Sequence, residues 1–212
     1  MAMNLLLIGG GGHCASVFDS ALSMRIFDTI RIISKDLESD QMTNPALVIG
    51  TDNELGILRD VGYEYAFVAV GSIGDISTRV KLQGLLKRLN FSIPNIIDSS
   101  ASMCKDANLG EGIYAGKNSV IGARSKIGNC AIINSAAVVE HDCTVADFVH
   151  IATAAVLCGN VGVGYGTHIG AGSTVKQGVR IGEGVMIGMG SVVLKDIDSH
   201  KTAYGNPCRV VL

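Results

Sequence analysis

The sequence predicts an α/β amino-terminal domain followed by an all-β domain wound from short parallel strands. Three observations carry this reading. Strand-like and helix-like stretches alternate from Asn4 to Leu89, a six-residue period runs unbroken from Leu109 to Val193, and the composition favours thin layers over an aromatic core. Glycine numbers 27 of 212 residues, tryptophan is absent, and 48% of the chain is apolar, enough to bury a sizeable core.

In the first domain, Asn4 to Ile8 reads as a buried strand, Gly9 to Gly12 as a turn and Ala15 to Met24 as a helix. Ile30 to Ser34 reads as a second strand, Glu54 to Val61 as a helix and Tyr65 to Val70 as a third strand. After Gly71 to Gly74 comes a helical stretch from Ile76 to Leu89. Strand, helix and strand in succession predict a Rossmann-like unit with a parallel sheet over residues 1–95. Glycines at a strand-to-helix turn expose backbone N–H groups to a pyrophosphate, although Gly9 to Gly12 also suits a plain tight turn. A strict G-x-G-x-x-G is missing, because Cys14 stands where Gly9 and Gly11 require a third glycine. Gly10, Gly12 and Ala15 fit only a looser variant, which argues against a dinucleotide redox cofactor.

From residue 109 to 193 in steps of six, Leu, Ile or Val fills fourteen of fifteen positions, with Ala115 the exception. Four residues after each stands Ser, Ala, Cys, Val or Thr, except at Ile113. One residue after, Gly recurs at 110, 116, 122, 128, 164, 170, 182 and 188, and is read as the bend that needs φ > 0. The pattern predicts one short strand per hexad, with the aliphatic and small residues inward. Three hexads close a triangular coil, and coils stack at about 4.8 Å, so that residues 18 apart lie one above another. The flat, partly apolar faces of this prism, residues 96–212, predict association as a homotrimer.

Lys and Arg total 17 against 19 Asp and Glu, with no basic cluster, which disfavours nucleic-acid binding. No window approaches a membrane span and the first apolar run lacks a basic flank, so a cytoplasmic protein is expected. Cys14, Cys104, Cys130, Cys143, Cys158 and Cys208 form no C-x-x-C pair, so neither a zinc knuckle nor a disulfide framework is indicated. Cys143 falls on an inward position of the repeat, where packing accounts for it.

Three segments carry a resemblance over essentially the whole chain: Leu7 to His13 (LIGGGGH), Ser135 to Cys143 (SAAVVEHDC) and Tyr204 to Arg209 (YGNPCR). On these the sequence resembles the bacterial sugar O-acyltransferase family of hexapeptide-repeat enzymes, which includes sialic acid O-acetyltransferases and PglD-like nucleotide-amino-sugar N-acetyltransferases. The resemblance implies a left-handed parallel β-helix, acetyl-CoA as acyl donor, no metal, and sites between the subunits of a trimer. The acceptor it implies is the amino group of a nucleotide-linked sugar such as a UDP-sugar, with O-acetylation of sialic acid as the alternative. By the same resemblance His141 is the general base, Asp142 orients it, and His150, Ala171 and Met189 contact acetyl-CoA. Gly11, Gly12, His13, Lys35, Asp36 and Gly71 match the residues that receive the nucleotide-sugar. The terminal YGNPCR looks like the Gly-x-Pro-Ala-Lys tail of the CoA channel, with Cys208 in place of Ala and Arg209 in place of Lys.

The chemistry suits these residue types. A neutral imidazole with a pKa near ~6.5 takes a proton from an attacking nucleophile at neutral pH. Gly159 follows His141 by 18 residues, which places it one coil above on the same corner, where its backbone N–H can approach a thioester oxygen. His150 and His168 are also 18 apart and should stack, which raises the γ-class carbonic anhydrases, whose histidines hold zinc on this fold. Their ligand spacing differs, and no third His aligns here. A non-catalytic nucleotide-binding trimer is the other rival. The intact His141–Asp142 pair and the terminal tail favour the enzyme.

Overall fold

Leu5, Leu6 and Leu7 have no exposed surface, because their strand lies at the centre of a parallel sheet covered on both faces. This is β1 (Asn4–Ile8), followed by α1 (Gly12–Met24), β2 (Thr29–Ile33), β3 (Val48–Gly50), α2 (Leu55–Asp60), β4 (Tyr65–Val68), α3 (Ser77–Arg88) and β5 (Ile96–Ile97). The computed structural model describes residues 3–35 and 47–212, and Asp36 lies outside the described residues. The sheet order is β3-β2-β1-β4. The three expected strands and three expected helices stand within a few residues of their expected bounds, while β3 is an addition. It is only three residues long and has no alternating pattern, and its end is marked by a capping box in which the Thr51 N–H donates to Glu54 Oε2 at 2.7 Å.

Helix α1 buries Cys14, Val17, Ser20 and Ala21, a 3- and 4-residue spacing that makes one apolar stripe. A core of Leu6, Ile8, Ile33, Leu55, Ala66, Leu82, Leu86 and Phe91 gathers against the sheet. Each Leu, Ile or Phe among them contributes about 1.5–3 kcal/mol by leaving water.

The chain divides into the units Met1–Ser99 and Ser100–Leu212. In the second, two-residue strands recur every six residues, from β6 (Ser102–Met103) through β12 (Val138–Val139), β13 (Thr144–Val145) and β14 (His150–Ile151) to β21 (Val192–Val193). They stack into three parallel sheets in an 18-residue register: Val138 pairs with Val156, Thr144 with Gly162, His150 with His168. The aliphatic ladder points inward, with Ile133, Val139, Ile151, Leu157, Ile169 and Val175 all fully buried. Inward hydroxyls bond carbonyls of the next coil, as when Ser125 Oγ donates to the Glu140 carbonyl and Thr167 Oγ1 to that of Gly182, each at 2.7 Å. The tail adds β22 (Thr202–Gly205), parallel to Met186–Ile187, and reverses into the antiparallel β23 (Cys208–Val210).

One expectation about the repeat is corrected. The glycines one residue after the aliphatic position are not the left-handed ones. Positive φ falls two residues later still, at Asn118, Arg124, Cys130, Ala136, Asp142, Phe148, Ala154 and Asn160 among others. At Gly110, Gly116, Gly122, Gly128, Gly164, Gly170, Gly182 and Gly188 a Cβ would instead come within 2.9 Å of the next coil. Glycine is there for close stacking, not for its conformational range.

Candidate active site

His141 sits on the corner between β12 and β13, and the next residue, Asp142, takes the left-handed turn position at φ 61°. Asp is one of the few side chains that occupy this region readily. The turn brings the two side chains together: His141 Nδ1–H donates to Asp142 Oδ2 at 2.8 Å. Arg124, one coil below, grips the same carboxylate with both prongs, Nε to Oδ1 at 2.7 Å and Nη2 to Oδ2 at 2.9 Å. The Arg124 guanidinium and then the His141 ring hold the Asp142 carboxyl far below the usual carboxylate range.

With Nδ1 committed to Asp142, the neutral imidazole carries its lone pair on Nε2. That edge faces Gly159, where a Cβ would sit 2.6 Å from both Nε2 and Cε1. The Cys158 and Asn160 N–H groups donate to Val175 and His141 carbonyls, and the Gly159 N–H between them has no partner. The Nε2 edge of His141 therefore lies against the backbone of Gly159, with the imidazole about half exposed. A nucleophile's proton and a developing oxyanion are what such groups stabilise.

The other acetyl-CoA candidates lie elsewhere on the prism. His150 packs edge to face on His168, centroids 4.8 Å apart, and Asn134 Nδ2 lies 3.2 Å from its Nε2. Burial pushes the His168 imidazole down, and its Nδ1 is enclosed without a partner. Ala171 and Met189 stack 18 apart on another corner, where Met189 is 80% exposed. Within one chain the structure joins His141, Asp142 and Gly159, and leaves Ala171 and Met189 on a different edge.

In the first unit, Gly11 precedes α1 and Gly12 begins it, without a side-chain cap on the helix N-terminus. His13 follows and packs on Gly71, where a Cβ would come within 3.3 Å of the His13 Cβ. Burial, and secondarily the charge of Arg79, lower the His13 pKa to about 4, so this imidazole is neutral at physiological pH. Lys35 follows β2 at the carboxyl edge of the sheet, 3.8 Å from Asp52 Oδ2. Gly11, Gly12, Lys35 and Gly71 thus all lie at the carboxyl ends of parallel strands, the edge where open α/β sheets bind ligands.

Arg124, Asn134 and Arg79 were not singled out by the sequence. The 18-residue register would have found Arg124, which precedes Asp142 by one coil. Among the described residues no group of three or more His, Cys, Asp or Glu side chains gathers as a metal site, and no helix is long and apolar enough to cross a membrane.

Comparison with known proteins gives a consistent picture. The PglD N-terminal domain model matches residues 4–85, and a hexapeptide repeat of succinyl-transferase matches residues 160–195. Perosamine N-acetyltransferase from Caulobacter crescentus, solved with CoA and GDP-perosamine, is 34% identical, with 99% of this chain and 97% of that one covered at a TM-score of 0.90. The acetyltransferase domain of PglB from Neisseria gonorrhoeae FA1090, solved with acetyl coenzyme A, is 30% identical, with 100% of each chain covered at a TM-score of 0.90. WeeI from Acinetobacter baumannii AYE shares the fold at 22% identity and a TM-score of 0.86.

Proposed function

The chain belongs to the PglD-like family of hexapeptide-repeat sugar acetyltransferases, its second unit being their left-handed parallel β-helix, and from that premise we propose that it acetylates the amino group of a nucleotide-linked amino sugar with acetyl-CoA. The observation that carries the reading is the His141 Nε2 edge set against the backbone of Gly159, with Asp142 bonded to the opposite ring nitrogen.

In the proposed reaction the sugar amine attacks the thioester carbonyl carbon while His141 Nε2 takes its proton. The carbonyl oxygen becomes an oxyanion that accepts from the Gly159 N–H. The intermediate collapses by breaking the C–S bond, and the His141 imidazolium returns the proton to the departing CoA thiolate. Asp142 stays ionised throughout and stabilises the imidazolium. No covalent acyl-enzyme forms.

Because Ala171 and Met189 stand on another edge, we assign the acetyl-CoA contacts of one subunit to the site whose base comes from its neighbour, in a homotrimer with three equivalent sites. His150 belongs to the same contacts. Gly11, Gly12, His13, Lys35, Asp36 and Gly71 receive the nucleotide-sugar, with the α1 N-terminus supplying positive potential to its diphosphate. A cytoplasmic location follows from both substrates. The reading from sequence named UDP, whereas the Caulobacter relative was solved with a GDP-sugar, so both belong in the test.

The test is release of free CoA thiol from acetyl-CoA with a panel of UDP- and GDP-linked amino sugars and free sialic acid. Release with an amino sugar is expected. Release with sialic acid alone would reassign the enzyme to O-acetylation, and light scattering of a monomer would remove the composite site.

A further inference from the structure

We infer that Arg124 is a positioning residue of the transfer reaction, locking Asp142 in the rotamer that holds the His141 imidazole against Gly159. The inference rests on the proposed role of His141 as base. Its observation is the three-member chain Arg124–Asp142–His141, with contacts of 2.7, 2.9 and 2.8 Å along one corner.

The geometry leaves the carboxylate no freedom. Both Asp142 oxygens are taken by the guanidinium fork, and Oδ2 serves Arg124 and His141 together. A bidentate fork fixes the plane of a carboxylate as no single donor can. His141 and Asp142 are about half and two-fifths exposed, so packing alone does not hold them, and an unforked Asp142 would sample other rotamers. Arg124 itself starts from a corner residue at φ 57°, stacked on Asp142 through the backbone bond from Asp142 N–H to the Ala123 carbonyl.

The guanidinium and the imidazole share one carboxylate, so removing Arg124 and removing the Asp142 charge alter the charge at that contact in opposite senses. The other charged groups around the corner are Glu140, whose Oε2 accepts from the His141 N–H at 3.4 Å, Asp106 beside Arg124 one coil further down, and Arg180, bound to the Asn160 carbonyl and side chain. None of them is bonded to the His141 ring, whose charged partner is Asp142 with Arg124 behind it.

The sign is therefore opposite for the two substitutions. Arg124→Ala removes a cation and leaves the carboxylate unshared, so the acidic limb of kcat/KM moves to higher pH. Asp142→Asn removes the carboxylate and leaves the cation, so the limb moves to lower pH. Asparagine tolerates the left-handed turn, which keeps the second variant folded.

The experiment measures wild type, Arg124→Ala, Arg124→Lys and Asp142→Asn by pH-dependent kinetics, and follows the His141 imidazole by NMR titration without substrates. Expected are a kcat loss of about tenfold for Arg124→Ala with little change in either KM, as for a misplaced catalytic group, partial recovery in Arg124→Lys, and opposite limb and NMR shifts in the two charge-removing variants. A raised KM for the nucleotide-sugar with unmoved kcat and titration would make Arg124 a substrate contact and overturn the inference. Arg124→Ala and Asp142→Asn shifting in the same direction would also overturn it. A wild type inactive on every amino sugar would instead defeat the acetyltransfer reading, while the NMR titration still decides the Arg124 coupling.

Discussion

Both units set a histidine against a glycine, and the charged neighbour of each gives the two pairs different chemistry. His13 packs on Gly71 with its Nε2 enclosed and Arg79 close by, and its pKa falls to about 4. His141 packs on Gly159 with its ring half exposed and a carboxylate on Nδ1. The first imidazole stays neutral through the physiological range, chiefly because it is buried. The second keeps one nitrogen bonded to a carboxylate and turns the other toward Gly159. A histidine beside a glycine therefore says little about catalysis until the sign of the next charge is known.

The sharpest way to break this contrast is His141→Ala. Loss of a general base should lower kcat and kcat/KM by ~10²- to 10⁴-fold while both KM values and the thermal transition stay near wild type. Wild-type turnover in this variant would place the base elsewhere, with His150 and His13 next in line.

Gly159→Ala should cost about 10²-fold in kcat, because its Cβ would meet the imidazole at 2.6 Å and displace it, while the backbone N–H is retained. Steady-state kinetics would expose an unharmed enzyme, which would mean that the ring sits elsewhere when substrates bind.

His13→Gln should raise KM for the nucleotide-sugar roughly tenfold, from the loss of one binding contact, and leave KM for acetyl-CoA and the acidic limb of the pH profile unchanged. A shift of that limb would show that His13 titrates in the working range after all.

The smallest effect is on stability. A folded-state pKa lowered by burial means that the unfolded chain binds the proton first, so stability is full above about pH 6.5 and is lost as the pH falls toward 4. For His13 the loss is on the order of 1–3 kcal/mol, and His168 adds in the same direction. Urea unfolding between pH 7 and pH 4.5 should show this slope, shallower in His13→Gln. An equal slope in the variant would assign it to other groups.

How much of this was legible in the sequence differs between the units. The aliphatic ladder of the second is periodic because one inward position of every hexad must be filled by an apolar side chain, so strands, register and the approach of Gly159 to His141 all followed from counting. The recurrent glycines misled, since a glycine needed for left-handed φ and one needed for want of space look alike. Gly122 meets the backbone of Glu140 and His141, while the left-handed corner position is filled by Arg124, Asp142 and Asn160. In the first unit β1 was plain from its apolar run, whereas β3 was too short to show a period. The Arg124 fork was readable in principle, because it obeys the same register, but it depends on a rotamer that spacing alone does not supply.

The 18-residue register also governs how this chain tolerates inserted and deleted residues. Removing one hexad between His141 and Gly159 would rotate every later corner by a third of a turn, so the ladder would remain aliphatic while Gly159 left the imidazole. Removing a whole coil above Gly159 would keep every face aligned and only lower the tail by about 4.8 Å. Change in whole-coil steps thus preserves the His141–Gly159 corner while moving the tail along the prism axis, at the cost of whatever side chains the lost coil carried.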